Sequence, residues 1–285
     1  MTAITQHGPD LWQISLPFQG EEQIIGPYLL AGNGELALID PGPGSTLEAL
    51  LEGIKQMGFA PEDITHLLAT HIHLDHAGSA GSLALRLPRA QVYAHSKGAP
   101  HLLDTTKVVA SASRIYGDRM KPLWGEIESV PKEQLQTFED GDVLNVAGHR
   151  LEVHYAPGHA VHHVVFLDSG VGSLFAGDVA GVKLPGVDYV RPPTPPPDLD
   201  LEDWSASIEL VKRLKPTAVY MAHFGPTGEI EDHFARLQQK LYFWGDFILK
   251  AMRHGKSEAE IIRLLIEESK PELMQIAGKP HDFER

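Results

Sequence analysis

The chain has 285 residues, of which 42% are hydrophobic and 22% charged, which suits one large domain, or a domain with an appendage, around a sizeable core. Its formal charge of −14 argues against non-specific nucleic-acid binding, because such binding depends on Lys and Arg that neutralise phosphates. The sequence has no apolar run of the ~18 residues that a membrane span needs, no evident leader segment, and no cysteine for a disulfide or a thiol nucleophile. We therefore expect a cytoplasmic location, no membrane partner and no nucleic-acid partner.

The first part of the chain predicts strands followed by a helix. Residues 11–16 alternate in polarity as a strand does, and residues 28–39 have the pattern of a hairpin with a Gly-Asn-Gly turn. Apolar residues then recur at helical spacing over residues 47–57. The hydroxyl of Ser45 or Thr46 is placed to cap this helix.

Four side chains that can bind a metal lie within the run His71-Ile72-His73-Leu74-Asp75-His76. Residues 64–69 before it are apolar and β-branched and predict a buried strand, whereas residues 79–87 after it have helical character. The run therefore lies on a strand-to-helix loop, where side chains can converge from a rigid base. Imidazole and carboxylate together suit zinc, iron or manganese better than magnesium or calcium, which prefer oxygen ligands.

The middle of the chain alternates strands with helices, which favours a layered α/β architecture. After a predicted strand at residues 91–94, residues 98–132 form an excursion of helical stretches broken by Gly and Pro. Further strands are predicted at residues 151–155, 164–167, 173–176 and 218–222. Residues 181–200 form a proline-rich loop that we expect to be extended, and Asp200 is placed to cap the helix that follows.

The pattern after residue 228 is helical. Apolar residues recur three and four positions apart from Ile230 to Ile248, and Ser257 with Glu260 predicts a capping box for a further helix. These helices either pack against the sheet or form a dimer surface or a lid. We therefore divide the chain into a catalytic domain of residues 1–228 and a helical extension of residues 229–285.

The run from His71 to His76 resembles the H-x-H-x-D-H signature of the metallo-β-lactamase-fold hydrolases. Further matching motifs follow this family's order over about residues 25–225, and they contribute Asp40, His159, Asp178 and His223. The resemblance implies a four-layer αββα sandwich of two similar halves, with the helical extension added at the C-terminus. It is strongest to the glyoxalase II, lactonase and phosphoesterase-like branch.

The same resemblance implies a site for two divalent ions, zinc foremost, with iron and manganese as alternatives. One ion would be bound by His71, His73 and His159, the second by Asp75, His76 and His223, with Asp178 shared between them. A hydroxide that bridges the ions would be the nucleophile, because metal binding lowers the pKa of water toward ~7. Asp75 would also orient the hydroxide and carry a proton, whereas Asp40 would hold the metal loop from outside.

Substrate contacts follow from the resemblance and from the loops. Inserts between the second and third motifs of this family often wall the active site, so Tyr116, Met120 and Trp124 are candidates. The proline-rich loop leaves directly from the predicted bridging aspartate, which makes Tyr189 and Arg191 candidates as well. Each of these side chains could equally serve only to pack its own segment.

The function implied is hydrolysis of a small ester, thioester, lactone or phosphoester. A mononuclear iron sulfur dioxygenase of the same fold is the main alternative, and a metallo-nuclease is a weaker one. A binding module that keeps only the fold is disfavoured, because all seven ligand positions are filled. The expected partners are a small-molecule substrate and a second copy of the chain, through the insert or the C-terminal helices.

Overall fold

Two large β-sheets organise the part of the chain that the computed structural model describes, residues 2–183 and 189–277. Residues 184–188 of the predicted proline-rich loop and residues 278–285 of the predicted extension lie outside it. The strands are β1 (Ala3–Gln6), β2 (Leu11–Phe18), β3 (Glu21–Ile25), β4 (Tyr28–Gly32), β5 (Glu35–Ile39), β6 (Ile64–Leu68), β7 (Gln91–His95), β8 (Leu135–Phe138), β9 (Val143–Val146), β10 (His149–Tyr155), β11 (Val164–Asp168), β12 (Ser173–Phe175), β13 (Val182–Lys183), β14 (Val190–Arg191), β15 (Ala218–Met221) and β16 (Gly225–Thr227).

The first sheet has the order β1-β2-β4-β5-β6-β7-β8, with β3 paired to β2, and the second has the order β16-β15-β12-β11-β10-β9. Antiparallel pairing dominates at the start of the first sheet, and β5, β6, β7 and β8 then run parallel to one another. In the second sheet β12 and β15 are the parallel pair. Parallel strands place their carboxyl ends at one edge of a sheet, and such edges are where functional loops gather.

The helices lie mostly between the strands and after the last of them. They are α1 (Leu47–Gln56), α2 (Leu74–Ala77), α3 (Ala80–Arg86), α4 (Ala99–Leu103), α5 (Thr106–Tyr116), α6 (Met120–Trp124), α7 (Leu201–Leu214), α8 (Ile230–Arg253) and α9 (Glu258–Ala277). Among the described residues, no helix combines the length and the apolar character needed to cross a bilayer.

Three apolar layers separate four layers of secondary structure. Strand alternation explains them, because Leu29 and Leu38 face α1 and α3 on one side of the first sheet, whereas Leu30 and Ile39 face the second sheet. The outer face of the second sheet packs on α7 and α8, where Trp204 is fully buried. The predicted αββα sandwich is confirmed, and the C-terminal helices are present as predicted.

Helix caps show where local sequence patterns succeed and where they fail. The Asp200 carboxylate accepts hydrogen bonds from the first-turn amides of α7, and Ser257 pairs with Glu260 ahead of α9, as predicted. The predicted cap of α1 is wrong. The Ser45 hydroxyl donates instead to the carbonyl of Leu123 at 2.6 Å, and the Thr46 hydroxyl donates to the carbonyl of Pro43 at 3.1 Å. The Ser45 contact ties the start of α1 to the end of the insert, a long-range partner that a local pattern does not reveal.

Candidate metal centre

The predicted ligands all follow the carboxyl ends of strands that meet at one edge of the sandwich. His71 and His73 follow β6, and Asp75 and His76 lie in the short helix α2. The other three ligands come after strands of the second sheet, namely His159 after β10, Asp178 after β12 and His223 after β15. Each half of the sandwich therefore contributes to one cluster.

Glycines just before two of the ligands allow the chain to approach its neighbours closely. Gly158 precedes His159 with φ of 116°, and a Cβ there would lie 2.1 Å from the backbone nitrogen of Trp204. Gly177 precedes Asp178 with φ of 48°, and a Cβ there would lie 2.4 Å from the Thr70 hydroxyl. Both positions need a residue without a side chain.

The seven predicted ligands converge in three overlapping groups. These are His71 with His73 and His159, His71 with His76 and Asp178, and Asp75 with His76 and His223; within each group the ligand atoms lie within 4.8 Å of one another. His73 Nδ1 lies 3.0 Å from His159 Nε2, and His76 Nε2 lies 3.2 Å from His223 Nε2. The Asp178 oxygens reach both sides, at 3.3 Å from His159 Nε2 and 3.2 Å from His76 Nε2.

Hydrogen bonds on the outer side fix the imidazole tautomers. His159 Nδ1 donates to the carbonyl of Pro193 at 3.0 Å, and His223 Nδ1 donates to the carbonyl of Ile24 at 2.6 Å. Because a carbonyl can only accept, the lone pair of each ring in its neutral form is on Nε2, which faces the other ligands. Such outer partners orient metal-binding histidines and raise their basicity.

Asp40 organises the metal loop in the same way. Its carboxylate accepts from the amide and the hydroxyl of Thr70, both at 2.8 Å, and from His76 Nδ1 at 3.0 Å. Since the single proton of the Thr70 hydroxyl goes to Asp40, this hydroxyl accepts from His71 Nδ1 at 3.1 Å. Asp40 thereby contacts His76 directly and sets the orientation of His71 through Thr70.

The residues fit divalent ions. His71 Nε2 is buried with no hydrogen-bond partner among the described residues, and unpaired buried polar atoms are rare. Two ligands of one tetrahedral zinc ion, at about 2.0 to 2.1 Å from it, lie about 3.3 Å apart. The distances of 3.0 to 3.5 Å between ligand atoms of His73, His159, His76, His223 and Asp178 match this spacing.

Charge differs between the two sides of the site. Burial, reinforced by the other imidazoles, holds the pKa of His71 well below its usual value and lowers the pKa of His73 to about 3. For His76, burial opposes the charged form, but Asp178, Asp40 and Asp75 outweigh it and raise the pKa. For Asp178 and Asp75, burial opposes ionisation, but His76 and the other nearby imidazoles outweigh it and lower both pKa values. Neutral imidazoles and ionised carboxylates are the forms that bind metals, so metal binding at His76 would release a proton.

A cavity of about 500 Å³ opens beside this cluster, and His73, Asp75 and Asp178 form part of its wall. Insert helices α4 to α6 provide one side, and residues 193–198 of the proline-rich loop provide another. Tyr116 and Trp124 both line it, with ring centroids 5.2 Å apart and the rings edge to face. Met120 packs against the core next to the cavity without lining it.

Tyr189 and Arg191, the other predicted substrate contacts, lie elsewhere. Tyr189 is 3% exposed with Lys240 over its ring at 5.1 Å, and Arg191 is exposed in the small hairpin of β13 and β14. Neither is among the described residues that line the cavity. Their role in substrate binding stays a prediction that this cavity does not support, because β14 lies against α8, whereas the loop contacts the metal centre at Pro193.

Two further histidines, His162 and His163, lie beside the metal centre. Both are buried, at 6% and 0% exposure. His163 Nε2 accepts from the amide of Asp178 at 3.1 Å, and His162 lines the cavity with its ring centroid 5.9 Å from that of His73. Their spacing of three and four residues after His159, in a turn that leads back into β11, is the signal that could have placed them here.

The sandwich and its cluster of histidines and carboxylates define a class of metal-dependent hydrolases. Residues 27–223 match the family model of the metallo-beta-lactamase superfamily, and the chain belongs to that superfamily. The predicted family, fold and hydrolase class are thereby confirmed.

Similar proteins agree with this assignment. The metallo-beta-lactamase fold-containing protein ST1585 of Sulfurisphaera tokodaii is 27% identical over 76% of this chain and 80% of its own. The crystal structure of the metallo-beta-lactamase family protein TTHA1429 from Thermus thermophilus superposes with a TM-score of 0.67 at 26% identity, over 86% of this chain and 82% of that chain. An atrochrysone carboxyl ACP thioesterase of Aspergillus fumigatus is 27% identical over 79% of this chain, which spans only 58% of that longer protein.

Proposed function

We propose that the chain is a binuclear, zinc-dependent hydrolase that cleaves a small thioester or related ester. The observation that carries this proposal is the convergence of the seven side chains into overlapping groups beside a cavity of about 500 Å³. His71, His73 and His159 would hold one ion, and Asp75, His76 and His223 the other, with Asp178 between them. Each ion then has three or four protein ligands and keeps a position free for water or substrate, as a catalytic site requires.

The bound ions would supply an activated water at neutral pH and polarise the scissile carbonyl. The chain's own residues do the rest. Asp75 is the carboxylate that can exchange protons with substrate, because its side chain is 27% exposed, whereas those of Asp178 and Asp40 are each 4% exposed. Its oxygen Oδ2 lies 3.4 Å from His223 Nε2, a spacing that suits two ligands of one ion, and the carboxylate would accept the proton of the attacking water.

In a thioester the water oxygen bonds to the carbonyl carbon and the carbon–sulfur bond breaks. The products are a carboxylic acid and a thiol, and the proton that Asp75 accepted passes to the departing sulfur. A thioester is favoured by the thioesterase function for which the Aspergillus relative is named and by the apolar character of much of the cavity wall. Lactone, phosphodiester and phosphotriester substrates are the competing classes.

The test is a substrate panel with metal analysis. Protein purified without chelator is expected to contain two zinc ions per chain, and zinc-loaded protein to hydrolyse a thioester faster than lactone, phosphodiester or phosphotriester probes. His73→Ala should abolish the activity and reduce the bound metal. One iron per chain with oxygen uptake would reassign the protein as a dioxygenase, and full activity in His73→Ala would overturn the site.

A further inference from the structure

The lining of the cavity is unequal at its two ends. Apolar side chains dominate toward the end of α5 and in α6, where Ile115, Tyr116 and Trp124 line it. This end lies on the Asp75 side of the metal centre, because Leu74, the residue before Asp75, lines the cavity and belongs to the apolar cluster that contains Trp124 and against which Tyr116 packs. An apolar wall of this kind binds apolar groups through the area that it removes from water.

The other end is basic. Lys97 and His101 line the cavity there, and Lys107 lies at the start of α5. This end adjoins His162, because Lys97 Nζ donates to the Tyr155 hydroxyl at 2.6 Å and that hydroxyl in turn donates to the carbonyl of Val161. Lys97 also lies over the Tyr155 ring, 4.5 Å from its centroid, so its contacts with Tyr155 hold it without neutralising it.

The basic end is unusual for this chain. Acidic residues outnumber Lys and Arg by 38 to 24 over the whole sequence, which gives the net charge of −14. Along the cavity, apart from the metal-centre carboxylates Asp75 and Asp178, the described lining holds two lysines and a single carboxylate, Asp198. A local reversal of charge in a cleft concentrates anionic ligands there.

We propose that the substrate is an apolar acyl thioester whose leaving thiol carries phosphate, as coenzyme A does. The acyl chain packs against Ile115, Tyr116 and Trp124, and the phosphates of the thiol meet Lys97 and Lys107. The scissile carbonyl then lies between the two ends, beside the metal centre. This assignment rests on the proposed hydrolase function and specifies both parts of its substrate.

The first experiment varies the substrate with the zinc-loaded full-length protein. Octanoyl-coenzyme A, acetyl-coenzyme A and octanoyl-pantetheine share the thioester and differ only in the acyl chain or the phosphates. Each methylene that is fully buried favours the longer chain by about fourfold, so partial burial predicts a kcat/KM at least about tenfold higher for octanoyl- than for acetyl-coenzyme A. We expect octanoyl-pantetheine to be at least about tenfold poorer than octanoyl-coenzyme A at low salt, with the gap narrowing as salt is added.

The second experiment changes the two ends separately. Ile115→Asp should lower kcat/KM for octanoyl-coenzyme A by about tenfold more than it lowers kcat/KM for acetyl-coenzyme A. Leu85→Asp is its matched control, because Leu85 on α3 is exposed to the same 59% and does not line the cavity. The double variant Lys97→Glu/Lys107→Glu should remove the preference for coenzyme A over pantetheine, whereas Lys132→Glu, at a lysine outside the cavity, should not.

The outcomes separate this assignment from the proposed function. Thioester hydrolysis that is equal for all three substrates would overturn the assignment and leave the hydrolase intact. Hydrolysis of lactones or phosphoesters alone would overturn both the thioester substrate of the proposed function and the phosphate-bearing thioester assigned here. Calorimetric titration of zinc-loaded protein with coenzyme A gives a readout besides turnover. If Lys97→Glu/Lys107→Glu does not weaken this binding, the assignment of the phosphates to the basic end is overturned.

Discussion

The ligands of the metal centre and the side chains of the neighbouring cavity differ in how firmly the fold holds them. His71, His76 and His159 are at most 1% exposed, and each has its outer nitrogen hydrogen-bonded. In the cavity wall, Ile115 and Val161 are 59% and 44% exposed. The metal centre belongs to the packed sandwich, whereas much of the cavity wall is formed by the helices of the insert, residues 98–132. We infer that the chemistry is fixed by the sandwich and the substrate range by the insert.

The largest effect is expected from the ligand that both sides of the centre share. Asp178→Asn keeps the size of the side chain but removes the charge that lies 3.2 Å from His76 and 3.3 Å from His159. We expect thioester hydrolysis to fall by more than the ~100-fold that loss of an outer hydrogen bond costs, together with loss of metal. Metal content and kcat measure this, with the exposed Asp118→Asn as control. Wild-type turnover in Asp178→Asn would remove the distinction between centre and wall.

A smaller effect is expected from Asp40, which contacts the predicted ligand His76 but would not itself bind the metal. Asp40→Asn leaves every ligand in place but weakens the acceptor for the Thr70 hydroxyl and for His76 Nδ1. Loss of such a contact lowers metal affinity by about 10- to 100-fold, so activity should recover as zinc is raised. Competition with a chelator measures the affinity. An affinity that is unchanged would show that the loop keeps its shape without this carboxylate.

At Tyr116 in the cavity wall, the size of the side chain should matter more for activity than its hydroxyl group. Tyr116→Phe keeps the ring against Trp124 and should change octanoyl-thioester hydrolysis by less than about threefold, whereas Tyr116→Ala removes apolar area and should lower it by about tenfold. The control is Tyr242→Ala, at a 44% exposed position on α8. A large loss in Tyr116→Phe would instead give the hydroxyl a direct role in the reaction.

An ion pair outside both regions should affect stability and leave activity unchanged. His149 Nδ1 donates to Asp168 Oδ2 at 2.6 Å, and this hydrogen bond raises the pKa of His149 above 6.5. The stabilisation is therefore complete below about pH 6.5 and is lost as pH rises through the folded-state pKa. His149→Gln should lower the free energy of unfolding by about 1 to 3 kcal/mol near pH 6 and by less near pH 9. Denaturant unfolding at both pH values measures this, and a cost that grows with pH would contradict it.

The sequence was most informative where a residue's role depends on its immediate neighbours. The spacing of the metal-capable residues from His71 to His76 can be read directly from the sequence. The Asp200 cap likewise depends only on nearby amides, those of the second and third residues after it. It was least informative where a role depends on a distant partner. The Ser45 hydroxyl contacts Leu123, and the course of the proline-rich loop places Tyr189 against Lys240.

The residues of the cavity wall illustrate the same limit. Lys97 and His101 have no motif, and only the packing of α4 beside Val161 and His162 brings them to the cavity. His162 was visible as a histidine near a ligand, but not its close approach to Gly98, where a Cβ would lie 3.3 Å from the His162 Cβ. Such contacts between separate segments are not encoded in local spacing.

The order of the ligands along the chain has a consequence for biosynthesis. The first of them, His71, is translated long before the last, His223, which follows β15, the strand that pairs in parallel with β12. A nascent chain therefore cannot close the cluster until almost the whole sandwich has left the ribosome, and until then its histidines remain open to any ion in the surroundings. We therefore expect any selection of a metal to be made by the completed fold at the end of synthesis, and premature termination before residue 223 yields a product whose cluster lacks His223.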